Sequence, residues 1–145
     1  MSQSYADAIK KAMSDQTMFL KNMQTGKDEV KVLSSGKVMK IGGMMEPSKH
    51  IGSIMEQDGR YNVYTKEKGG RFVKHGKLSV ERKGVEDSFS GKMLAKYDAS
   101  GTIRGHDDKT VLRGQYGSDK VKGSLQAAAG LIYLKHLEKQ GHTSN

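Results

Sequence analysis

Two histidines, His75 and His106, stand in a stretch rich in Lys and Arg. With Lys74, Lys77 and Arg104 they supply the groups that metal-free RNA cleavage needs. One side chain takes the 2′-hydroxyl proton, a second protonates the leaving oxygen, and a cation stabilises the phosphorane. That chemistry requires both imidazoles on one strand face, which spacing alone does not establish. His106 lies in Gly105-His106-Asp107-Asp108, where a histidine adjoins a carboxylate pair. The segment reads as a polar turn whose Asp side chains bond nearby amides. The five histidines form no H-E-x-x-H and no i,i+4 pair, and the chain has no Cys. Disulfides, thiolate metal sites and cysteine nucleophiles are therefore excluded, and neither a metal site nor a cofactor is implied.

A Gly-Lys-apolar triplet recurs at Gly36-Lys37-Val38, Gly76-Lys77-Leu78 and Gly91-Lys92-Met93. A phosphate-binding P-loop would need Ser or Thr after the lysine and a helix following it. Neither condition is met, and G-x-G-x-x-G is absent too. The triplets instead predict three hairpin corners, with glycine supplying a positive φ, lysine pointing outward and the apolar residue inward. Two corners on a shared edge would make a small basic rim.

Single-stranded nucleic acid is gripped by aromatic rings set among cations. The middle of the chain interleaves Tyr61, Tyr64, Phe72, Tyr97 and Tyr116 with basic residues. The candidate nucleic-acid contacts are Arg60, Arg71, Phe72, Lys74, Lys77, Lys96, Arg104 and Arg113. "GGRFVKHGK" (69–77) has the basic-aromatic flavour of an RNA-binding strand without matching the RNP consensus. The same aromatics could equally form the core. Facing separates the readings, because Tyr64 alternates against Tyr61 and Val63.

The net charge of +9, from 25 Lys+Arg and 16 Asp+Glu, favours a polyanionic partner: nucleic acid, an acidic membrane leaflet or an acidic protein. The excess is diffuse, with no basic tail. The nine methionines are either fillers of irregular core gaps or the lining of an adaptable protein- or lipid-binding groove. No stretch carries a motif diagnostic of a known family. The leading expectation is a small, basic, non-enzymatic nucleic-acid-binding protein. The alternatives are a metal-independent ribonuclease or toxin-type effector domain, an effector or inhibitor docking on an acidic protein, and a lipid-binding barrel with a Met-lined interior. No apolar run is long enough for a transmembrane segment and no secretory signal opens the chain, so a cytoplasmic protein, or one exported by a signal-peptide-independent route, is expected.

These residues must be positioned by elements of two periods. Residues 1–27 read as an amphipathic helix through Tyr5, Ile9, Met13, Leu20 and Met23, with Ser2 or Ser4 as cap and Gly26 as stop. Residues 28–117 read as a β-meander, dense in the turn signals that 18 Gly and a single Pro provide. The segment at Pro47 fits a short helix or a loop and strand ending at Asp58-Gly59. Residues 118–141 return to helix, capped by Ser118 or Asp119, and are the most apolar part of the chain. Residues 142–145 form a frayed tail. The expected fold is α+β in a single domain (1–145). A curved or partly closed antiparallel meander of about seven or eight strands is flanked by an N-terminal and a C-terminal helix that covers its core face.

Overall fold

A computed structural model describes residues 5–104 and 111–141. The N-terminal helix α1 is short, Tyr5–Asp15. The residues after it, expected as its continuation, form strand β1 (Met18–Asn22), in which Met18, Leu20 and Asn22 are buried and Phe19 and Lys21 exposed. That is a period of two, whereas the helical reading through Leu20 and Met23 rests on only every third or fourth residue. Gly26, with φ +73, closes the tight turn after β1 rather than a helix. Ser2 and Ser4 lie outside the described residues.

Nine more strands follow: β2 (Lys27–Val32), β3 (Lys37–Lys40), β4 (Lys49–Gln57), β5 (Arg60–Lys66), β6 (Phe72–Ser79), β7 (Gly84–Asp87), β8 (Met93–Tyr97), β9 (Thr102–Arg104) and β10 (Leu112–Arg113), before helix α2 (Lys120–Gly141). The segment after Pro47 is thus loop and strand, and Asp58 and Gly59, with φ of 53 and 80, make the turn that joins β4 to β5. Each strand pairs antiparallel with its neighbours in sequence, and β1 pairs with β10 through Lys21–Arg113 and Asn22–Leu112. The α+β class and antiparallel sheet agree with the sequence. The sheet is nonetheless a closed ten-stranded barrel, not a partly closed meander of seven or eight strands.

Closure changes the role of α2. The expected helix lies on one face of an open sheet. Here α2 packs against β1 through β9, and its Gly130 also approaches Leu112 of β10. A helix touched by strands on every side of a closed barrel runs through the lumen. Its twelve residues from Gly123 to Leu134 are all buried. Such all-round apolarity is what full enclosure demands. Small barrels are filled by their own side chains, but ten strands leave room for more, and a helix with its side chains is about 10–12 Å across. The fit needs missing side chains on both partners. A Cβ on Gly52 of β4 would lie 2.5 Å from Ile132 Cγ2, and one on Gly123 would lie 2.5 Å from the Tyr97 ring. Part of the glycine content therefore makes room for the helix instead of forming turns.

The polar groups that go inside are paired. Gln126 is fully buried, and its amide donates to the Tyr116 carbonyl at 3.1 Å while its oxygen accepts from the Tyr116 N–H at 3.1 Å. Asp119 caps α2 by accepting from the N–H groups of Val121 and Lys122. The Tyr133 hydroxyl donates to Glu29, which also accepts from Asn22 and Thr25. Burial alone would raise the Glu29 carboxyl, but these hydrogen bonds, with Lys40 nearby, outweigh it and hold the group below its ordinary value.

The two ends of the barrel differ. α1 lies over one end, where Ile9, Ala12 and Met13 are buried and Lys122 of α2 lies 3.9 Å from Asp15. The turns at 33–36, 58–59, 80–83 and 98–101 share that end by strand alternation. The other end carries the connections 23–26, 41–48, 67–71 and 88–92 around the C-terminal turns of α2, where Lys139 pairs with Glu67. No helix among the described residues is long and apolar enough to cross a membrane. The lumen is occupied by α2 and is not an open, Met-lined interior.

Candidate nucleic-acid interface

The Gly-Lys triplets resolve into two corners and one strand interior. Gly36 and Gly91 have φ of 91 and 72 and sit at turns, as expected. Gly76 lies inside β6, opposite Val63 and Asp87, and a Cβ there would meet the Glu86 carbonyl oxygen at 2.4 Å. It is a close approach between strands, not a corner. Lys37 and Lys92 fall at opposite ends of the barrel, so the triplets build no shared basic rim.

The histidine pair does not form a visible centre. β6 bulges opposite Val63 and Tyr64, and His75 in that bulge turns inward, its Nε2 2.8 Å from Thr65 Oγ1. Burial, reinforced by Lys135 and opposed by Glu138, lowers its pKa. His106, with the expected turn at Asp107-Asp108, lies outside the described residues. No group of three or more His, Asp or Glu suited to a metal ion occurs among the described residues.

The eight candidate contacts separate onto different parts of the surface. Arg60 sits at the α1 end, beside a 270 Å³ cavity that Tyr5 and Ile9 also line. Lys77 is 3.6 Å from Glu86, which Arg82 also engages at 2.6 Å. Lys96 and Arg104 are direct cross-strand partners, and Arg113 is flanked by Lys21 and Thr102. These four cations form a basic strip on the β8–β9–β10–β1 wall, where the single exposed ring of Phe19 shares the outward face of β1 with Lys21. Arg71, Phe72 and Lys74 lie on the other wall, made by β3 to β6.

On that second wall the facing question is answered. Tyr61 and Val63 point into the core, and Tyr64 points out. Tyr64 and Phe72 meet edge to face with ring centroids 6.4 Å apart, and Phe72 is 5.8 Å from the His50 ring. His50 Nε2 lies 2.9 Å from Ser53 Oγ. Register explains the cluster: Lys37, Ser53, Tyr64 and Lys74 are successive partners across β3, β4, β5 and β6, and Lys66 is the partner of Phe72. Three rings are thus framed by Lys37, Lys66, Lys74 and Arg71, none of them ion-paired among the described residues. Burial, then Lys66 and Lys37, push the His50 pKa down, which favours the uncharged imidazole. His50 and Lys37 were missed as site residues because they come from β3 and β4, remote in sequence. Tyr97 is buried and Tyr116 lies under the Lys122 ammonium at 4.8 Å, so neither joins this surface.

Compared with known proteins, the chain matches no family model, no curated protein and no solved structure.

Proposed function

We propose that the protein binds single-stranded nucleic acid on the outer wall of β3 to β6. One observation carries the reading: Tyr64, Phe72 and His50 cluster on the outside of the barrel, with Phe72 38% exposed, inside a frame of four cations. A fold that used its scarce aromatics only for the core would have turned them inward, as it does Tyr61. Bases stack on exposed ring faces without sequence preference, while lysine and arginine follow the phosphates. The edge-to-face geometry leaves part of the Phe72 ring open to such stacking. The binding is non-enzymatic, because the wall offers ring faces and cations but no paired acid and base.

Fluorescence anisotropy with labelled single-stranded RNA and duplex DNA, at about 50 and about 200 mM salt, tests this directly. The single strand should bind more tightly, with affinity falling steeply between the two salts through counterion release. Phe72→Ala should weaken single-strand binding by about tenfold or more, as the loss of one stacking platform. Lys74→Ala should lower the salt slope by about one without changing sequence preference. Absence of binding at the lower salt would end the proposal. Cleavage of the RNA in the same samples would replace it with a nuclease.

A further inference from the structure

The barrel end opposite α1 has two features of its own, a set of exposed apolar tips and a basic cavity that borders the nucleic-acid wall and shares His50, Lys66 and Arg71 with it. Met44 and Met45, in the 41–48 connection, and Phe89, in the 88–92 hairpin, are among the most exposed side chains of the protein, at 103%, 95% and 99%. Strand alternation places both connections at this one end. Between the 41–48 and 67–71 connections opens a cavity of about 1180 Å³, floored by His136, Lys139 and Gln140 of α2. Lys40, Lys49, Lys66, Lys68 and Arg71 line it, against Glu46 and a Glu67 that is already paired with Lys139.

We infer that this end docks on an anionic lipid bilayer. Met44, Met45 and Phe89 enter the headgroup–acyl boundary, and lipid phosphates occupy the basic cavity. A lone exposed apolar residue needs no explanation, but three fully exposed ones on two connections at one barrel end do. Apolar tips standing beside a cationic hollow suit a soft interface. A bilayer accepts separate insertions of shallow depth and presents negative charge in the same plane. A flat protein partner would have to supply matching pockets for each tip. Neither apolar tips nor basic residues suffice alone, since stable attachment to a membrane surface takes two signals.

The test uses the full chain and vesicles of phosphatidylcholine with or without about a third phosphatidylserine, in a flotation assay. The unmodified protein should float with anionic vesicles and not with neutral ones. Met44→Ser with Met45→Ser and Phe89→Ser should reduce binding at least tenfold. Lys49→Ala with Lys68→Ala should reduce it by about fivefold per charge, following the surface-potential contribution of each basic residue. The chain has no Trp, so Met45→Trp gives a single reporter. Its emission should shift to shorter wavelength on anionic vesicles and stay unshifted with single-stranded RNA. Phe72→Ala, which removes a stacking ring but neither a tip nor a cation of the cavity, should leave flotation unchanged, which separates this inference from the nucleic-acid proposal. Failure to float with anionic vesicles would overturn it. So would flotation indifferent to the Met and Phe changes, which would mean adsorption by charge only. A concentration-dependent dimer abolished by those same changes would assign the tips to a second copy of the chain instead.

Discussion

The two ends of the barrel solve the same problem in opposite ways. At one, the amphipathic α1 buries Ile9, Ala12 and Met13, and Lys122 of α2 reaches the Asp15 side chain. At the other, no helix lies across the opening among the described residues, Met44, Met45 and Phe89 stand in solvent, and a basic hollow opens between the 41–48 and 67–71 connections. Apolar groups at the first end contribute to folding. Those at the second stand in solvent and contribute little to it. The comparison teaches where stability and function are separable in this molecule.

The most severe way to break the comparison is to remove what both ends share. A chain ended at Gly117 loses α2, the filling of the lumen, and should show no cooperative thermal transition. A preserved transition would mean that α2 is not the barrel's core. The next effect is steric. Gly52→Ala forces a Cβ to 2.4 Å from the Tyr64 carbonyl oxygen and 2.5 Å from Ile132, and overpacking of this kind costs about 1–3 kcal/mol. Gly43→Ala, in the 41–48 connection where a Cβ meets nothing within 4 Å, should stay within about 0.5 kcal/mol in urea melts.

Methionines sharpen the contrast with one residue type. Met13→Ala, at 5% exposure, should cost about 2–4 kcal/mol by denaturant unfolding, whereas Met44→Ser should leave the midpoint unchanged. The smallest effect is on pH dependence. His50, His75 and His136 are each shifted below the ordinary histidine value of 6.5, burial being the first cause in every case. The unfolded chain therefore binds protons that the folded one resists. Stability is complete above about pH 6.5 and falls as pH drops from there toward the depressed folded values. The melting temperature should decline from pH 7 to pH 5, and His136→Gln should flatten that decline. His136 is the sharpest probe, since its Nε2 is buried without a hydrogen-bond partner while Lys49 and Lys40 add to the shift. A flat profile in the unmodified protein would contradict it.

Much of the local structure was legible. The turn at Asp58-Gly59, the Gly69-Gly70 reversal and the turn ending at Gly101 all have the positive φ that their sequences call for. The alternation of Tyr61, Val63 and Thr65 gave the inward face of β5 correctly. β1 was not legible, because a five-residue strand directly after a helix offers too few positions to tell a period of two from a period of 3.6. β10 falls inside residues 110–115, which read as a strand from the sequence, although the strand itself is only Leu112–Arg113. Of the candidate site, Arg71, Phe72 and Lys74 were found because they adjoin in sequence. Their companions Lys37 and His50 arrive through the ladder from β3 and β4, and no local pattern announces them.

The amino-acid sequence by itself determined the class of elements: where strands alternate, where glycine turns them, and that the most apolar segment, 118–141, is a helix packed against the sheet. Whether that helix lies on a sheet or inside one was decided by tertiary structure, through the pairing of Lys21 with Arg113 that joins the first strand to the last. Closure is a long-range hydrogen-bonding event whose partners lie some ninety residues apart, and the register it imposes sets which rings meet outside and which cations frame them. Local periodicity says which way a side chain points; only the closed ladder says beside what.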